Sequence, residues 1–378
     1  MQKIADRFAR SRSGSMMPLF FLSLVPLISA VGFSVDYTDA VQTRSGMQAA
    51  LDAATLAITT LPPSMTLPDR KQALQDNFVA NNGQGTATLV SFNVASDGTV
   101  AAQTSASFAM PTNFMTIARI NSVPVAVKSG VNKAPSLVQA TFKVDKVSGY
   151  WNKTVTLYGT SFGGSAAQKL MTASYVYAPY TYTYQVGTKS YSMKEQKGYG
   201  TTTISLVKGS TPTVVQTQTC TTVGSTSNFT NPPAGAIVSP EYDGNSKKTI
   251  YFQITCATTN VPADGAGAAV DVSQMGQLSL QMDVTTGTKA TFKSNDTKTS
   301  NHLYLGTVPG TTLTPLVEVA AGKLIDIFKV VPCAETSYQA WEDGGNSLPA
   351  DYTNADFFYN VTGKCDFNQR PSETALTQ

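Results

Sequence analysis

The chain has 378 residues, of which 13% are charged, against roughly a quarter in ordinary globular domains. Its 27 Lys and Arg face 24 Asp and Glu for a formal charge of +3, with no basic stripe beyond the first dozen residues. The electrostatic footprint that nucleic-acid binding needs is therefore missing, and Ser, Thr, Asn, Gln and Gly build the surface instead.

The first element is the uncharged run 15–35, which carries Leu, Phe, Val and Ile throughout and matches the ~20 apolar residues of a transmembrane helix. Lys3, Arg7, Arg10 and Arg12 precede it, and Asp36 and Asp39 follow. This asymmetry keeps a basic segment, 1–14, in the cytoplasm and sends the rest across the membrane. Three fates compete for the run. The preferred one is an uncut anchor. A signal peptide cut at Ala30-Val31-Gly32 fits less well, because such peptides have apolar cores of about 7–15 residues and this run is longer. The third is a cut at the basic-to-apolar junction, after Gly14.

The helix is expected to continue to about residue 60. Ala40, Met47, Leu51, Ala54 and Ile58 fall on one face at helical spacing. Pro62-Pro63 then stops it.

Several of these residues resemble a known family. Arg12-Ser13-Gly14-Ser15, Val35-Asp36-Tyr37 and above all the run from Met47 to Ala57, with Gln48, Ala50, Asp52, Ala53, Ala54 and Ala57 in a Gln-x-Ala-x-Asp-Ala-Ala-x-x-Ala pattern, are similar to the N-terminal module of Flp (tight adherence) pilus-assembly proteins of the TadE/TadG-like class. The resemblance covers the first 60 residues and, loosely, the first 133. It implies a protein of the bacterial inner membrane with its bulk in the periplasm and with pilin or other pilus-assembly proteins as partners. On this reading the face Ala40, Met47, Leu51, Ala54, Ile58 packs against partner helices. Type IV prepilins carry Glu at the fifth position after the processing Gly, and here that position is Leu19. This departure argues against a polymerising subunit and fits the anchored TadG-like branch. Long members of that branch often hold a von Willebrand A domain with an Asp-x-Ser-x-Ser metal motif; Asp271-Val272-Ser273-Gln274-Met275 lacks the last Ser, so that domain is not expected.

Residues 65–133 read as a small α+β domain. Pro68-Asp69 opens a helix with Ala73, Leu74 and Phe78 on one face, and Asn81-Asn82-Gly83 closes it. A hairpin turning at Asp97-Gly98 follows, then a second helix from Pro111-Thr112 with Phe114, Ile117 and Ala118, then a strand through Val123, Val125 and Val127.

After the linker Lys133-Ala134-Pro135, residues 137–378 alternate apolar and polar side chains between Gly, Pro, Asn and Asp, which predicts a mainly antiparallel β, sandwich-like region. The fold class is thus α+β. Tyr175, Tyr177, Tyr180, Tyr182 and Tyr184 form an aromatic run broken by Pro179, read as a packing ladder, and the Thr- and Ser-rich stretch 201–230 has room for long loops. The four cysteines have no metal-ligand spacing and lie where oxidation is permitted; sequence neighbours are expected to pair, Cys220 with Cys256 and Cys333 with Cys365.

Two constellations suggest chemistry. Gly159-Thr160-Ser161-Phe162-Gly163 fits a nucleophile elbow, and Asp283 or Asp296 precede His302, the single histidine. Such an enzyme needs parallel strands alternating with helices, which the pattern lacks. Glu342, Asp343, Asp351, Asn354 and Asp356 form a candidate oxygen shell for calcium, although the inserted residues break a tight motif; otherwise no cofactor is expected. The function read from the sequence is a membrane-anchored, non-enzymatic accessory protein of pilus assembly acting by protein contacts. A surface adhesin or minor fibre component released from the membrane is the alternative, and a tethered serine hydrolase the remote one.

Overall fold

The structure is a computed structural model that describes residues 16–263, 267–311, 313–370 and 373–377. The basic segment 1–14, with the cut after Gly14, lies outside the described residues. The chain divides into two compact units, Met1–Pro135 with Phe367–Gln378, and Ser136–Asp366.

The first unit is built on helix α1, Met16–Ile58, a single helix of 43 residues that continues through Pro26 and extends about 65 Å at 1.5 Å per residue. Residues 22–58 are long and apolar enough to cross a membrane. Leu22, Leu27, Ile28 and Val31 point outward. The C-terminal half has the opposite character: Met47, Ala50, Leu51, Ala54 and Ile58 are buried in one cluster with Leu74 and Phe78, each large side chain contributing roughly 1.5–3 kcal/mol.

Helix α2, Leu67–Ala80, starts at the capping Thr66, whose hydroxyl receives the Asp69 N–H and donates to the Asp69 carboxylate at 2.6 Å, and Pro68 sits in the first turn. It stops where Asn82 turns left-handed and Gly83 N–H reaches back to the Phe78 carbonyl. Three antiparallel strands follow: β1, Thr86–Val94, β2, Val100–Pro111, and β3, Ser122–Lys133. Along β2 the residues Val100, Ala102, Thr104 and Ala106 face inward and alternate with exposed neighbours.

Two expectations for this unit are corrected. The second helix is a four-residue 3-10 turn, Met115–Ala118, ended by Arg119 in the left-handed region, because β2 and β3 run on to Pro111 and Ser122 and leave ten residues between them. The C-terminal residues do not end in the β region: the strand Thr374–Leu376 pairs with the open edge of β3, Thr374 opposite Lys133 and Leu376 opposite Val131.

The second unit is antiparallel β throughout its named strands. One sheet runs, in spatial order, Ile237–Asp243, Lys248–Asn260, Thr211–Ser225, Thr201–Lys208, Ala167–Val176, Lys153–Ser161, Met275–Val284 and Ala290–Lys293. The other runs Ala268–Asp271, Ser136–Val147, Phe357–Asp366, Thr336–Trp341, Leu303–Gly306 and Val317–Glu318. Phe142, Val144, Tyr359 and Val361 from the second meet Leu157, Ile204, Leu280 and Met282 from the first in one buried cluster, the arrangement of a sandwich. Cys220 is bonded to Cys256, its direct neighbour across two strands, and Cys333 to Cys365. Tyr175 enters the core, whereas beyond Pro179 the rings of Tyr182, Tyr184 and Tyr191 stack at 5.7–6.0 Å on the ribbon Thr181–Val186 and Lys189–Lys194. The stretch 201–230 is mostly strand, not loop.

Candidate functional site

Asp36 is the first charged residue after the apolar run, yet it is only 1% exposed. Its carboxylate accepts the backbone N–H groups of Asn113 at 3.0 Å, Phe114 at 2.9 Å and Met115 at 2.6 Å. Burial pushes its pKa up, but the three amides outweigh that and hold it low. One turn earlier stands Gly32, where a Cβ would lie 2.6 Å from the Cβ of Phe114, so only glycine admits this approach. The loop between β2 and β3 is thus clamped onto α1 where the apolar run ends. Phe114, Ile117 and Ile120 on the loop and Phe33 and Val35 on the helix remain exposed there.

The far end of the same helix is tied by cations. The Arg70 guanidinium, buried, donates to the carbonyls of Ile58 and, at 3.0 Å, Pro62, and lies 4.3 Å over the Phe92 ring. Lys133 Nζ donates to Thr59 O at 2.8 Å and Asn368 O at 2.7 Å. Both satisfy carbonyls that a helix C-terminus leaves open and complement its dipole.

The face expected to receive partner helices is therefore occupied by the chain itself. Met47, Leu51, Ala54 and Ile58 are fully buried against α2 and the sheet, and Ala40 packs at the margin of that cluster. Helical periodicity shows that a face is apolar but not what covers it. The face left open toward the apolar end of the helix carries Phe33, Tyr37 and Val41, four residues apart and all exposed.

In the second unit, Glu342, Asp343 and Asp356 are buried with ligand oxygens within 4.8 Å of one another. The sequence missed their partner. Lys153 Nζ, itself buried, lies 2.5 Å from Asp343 Oδ2 and 3.8 Å from Asp356 Oδ2, and donates to Ser148 O at 2.9 Å. Lys197, more exposed, approaches Asp356 at 3.5 Å. Glu342 receives the N–H groups of Gly345 and Asn346 at 3.1 and 3.2 Å. Burial raises the Asp356 pKa to about 7 against the pull of Lys153, and burial raises that of Glu342 as well. The other two members of the proposed calcium shell stand apart: Asp351 caps its own turn through Thr353, and Asn354 is exposed. Three of the five groups converge, and the Lys153 ammonium contacts two of them, Asp343 and Asp356.

Among the described residues, the members of the hydrolase constellation each contact other partners. Ser161 Oγ receives Gln168 Nε2 at 3.4 Å, Asp283 receives Gln281 and Thr291, and His302 stacks on Phe292 with Nδ1 3.0 Å from the Glu342 carbonyl. The strand after Ser161 is antiparallel to the one before it, whereas the elbow needs a helix there.

Among the described residues, one helix has membrane-spanning length and apolarity, consistent with a single-pass anchor, and its C-terminal half is the core helix of an α+β unit. Residues 14–57, the length of that helix, match the model of the Flp pilus-assembly TadE/G-like family, and the C-terminal region has no family match. No curated protein and no solved structure matches the chain.

Proposed function

We propose that this chain is an accessory protein of Flp-type pilus assembly, anchored in the bacterial inner membrane with residues 1–14 in the cytoplasm and its bulk in the periplasm, and that it works through protein contacts without catalysis or a cofactor. The observation that carries the reading is the TadE/G-like module folded as one helix, clamped through Asp36 to a loop whose exposed Phe114, Ile117 and Ile120 suit a membrane boundary. Its inward face being spent on its own sheet, the contacts fall to the open stripe Phe33, Tyr37, Val41.

The test is piliation in the native host. Charging the stripe with Tyr37→Glu and Val41→Glu is expected to abolish pili while the protein stays in membranes with both disulfides formed; undiminished piliation overturns the contact reading. Protein recovered in sheared fibres with an N-terminus at Ser15 selects the fibre component instead.

A further inference from the structure

We propose that Lys153 and Asp343 close a covalent side-chain amide in the mature protein, joining the strand Lys153–Ser161 of one sheet to the segment leaving Thr336–Trp341 in the other. Three carboxyl groups and one ammonium share a pocket in which Lys153, Glu342, Asp343 and Asp356 are all at most 5% exposed. Keeping such charges out of water is costly even when they are paired. The Nζ to Asp343 Oδ2 separation of 2.5 Å is tighter than the ~2.7–2.9 Å of a charge-assisted N–H···O bond.

The pocket fixes the amine on several sides. Ser148 O receives one of its protons, and the Tyr175 ring centroid lies 5.7 Å away. Gly149, with φ at +114°, stands so close that a Cβ would come 2.7 Å from Nζ and 3.0 Å from Asp356 Oδ1. Nucleophile and electrophile are thus held at contact in a dry site, where proximity substitutes for much of the activation barrier.

The step balances without any co-reactant. Asp356, 3.8 Å from Nζ, takes a proton from the ammonium and passes it to an Asp343 oxygen. The freed lone pair forms the Nζ–Cγ bond, the Cγ–Oδ bond breaks, and two of the three ammonium protons leave with that oxygen as water. Nothing is oxidised or reduced. The product replaces a buried ion pair with a neutral amide and adds a second kind of crosslink to a region already holding two disulfides.

The experiment is a tryptic digest of the full-length protein extracted from membranes, reduced and alkylated, read by mass spectrometry. Segments 147–169, uncut after Lys153, and 330–364 are expected as one joined species, lighter by one water than their sum, with fragmentation placing the bond at Lys153 and Asp343. Cleavage after Lys153 with 330–364 recovered as a linear peptide overturns the proposal, and a bond mapped to Asp356 overturns the choice of acceptor. Asp343→Ala is expected to give only linear peptides. Asp356→Ala, with disulfide formation as the check on folding, is expected to leave Lys153 and Asp343 unlinked; complete linkage there overturns the relay.

Discussion

Asp36 shows how one side chain does work that its neighbours in sequence do not announce. Read along the chain it is the polar boundary of an apolar run; in three dimensions it receives three consecutive amides from residues nearly eighty positions away. Asp36→Ala should speed hydrogen exchange at the amides of Asn113, Phe114 and Met115 by about tenfold or more, while exchange in β2 stays unchanged. Arg70, which the sequence pattern does not single out, closes the end of α1 and covers Phe92. Losing a buried, charge-assisted donor should cost about 3 kcal/mol, measurable as a lower denaturation midpoint for Arg70→Ala. Glu195 is buried with Oε2 receiving Thr222 at 3.2 Å and Oε1 unpartnered among the described residues, and burial lifts its pKa from 4.5 to about 7. The folded state then binds this proton more tightly than the unfolded one, so its contribution is present at low pH and declines as pH rises from about 4.5 to 7. Glu195→Gln should flatten that part of the stability profile.

At the scale of elements, short-range signals were legible wherever local chemistry decides. Thr66 and Pro68 start α2 as their residue types suggest, Asp97-Gly98 turns the hairpin, and alternation marks the strands of both units. The pairing of Cys220 with Cys256 was expected from their being neighbours in sequence, and the two prove to face each other on adjacent strands. Each bridge closes a loop of 36 or 32 residues, so replacing Cys220 or Cys365 by Ser should lower stability by about 3–4 kcal/mol in chemical denaturation. The helix expected after Pro111 failed for a tertiary reason: the carboxylate of Asp36 draws three amides into a tight turn, and the long strands leave no length for more. The apolar residues expected on that helix, Phe114 and Ile117, stand exposed.

At the scale of the whole molecule the two units should answer pH in opposite directions. Lys133, buried near Arg70 and Arg370, has its pKa lowered from 10.5 to about 8, chiefly by burial. Between those values the unfolded chain holds the proton and the folded one has released it. The stability of the first unit should therefore climb as pH rises from about 8 to 10.5, while Glu195 weakens the second unit between about 4.5 and 7. Thermal unfolding across pH, followed separately for each unit by hydrogen exchange, checks both slopes.

The sequence by itself determined the helix of spanning length, its end at the prolines, the resemblance of the first 60 residues to a pilus-assembly module, the β character of the rest and the cysteine pairs. These are properties of local composition, period and motif, which a chain carries before it folds. Only the tertiary structure decided what covers the face of Met47, Leu51, Ala54 and Ile58, that residues 374–376 complete the sheet beside β3, and that Lys153 meets Asp343 across 190 positions. Burial and pairing of that kind depend on which surfaces compete for one another, and periodicity holds no record of the competitor.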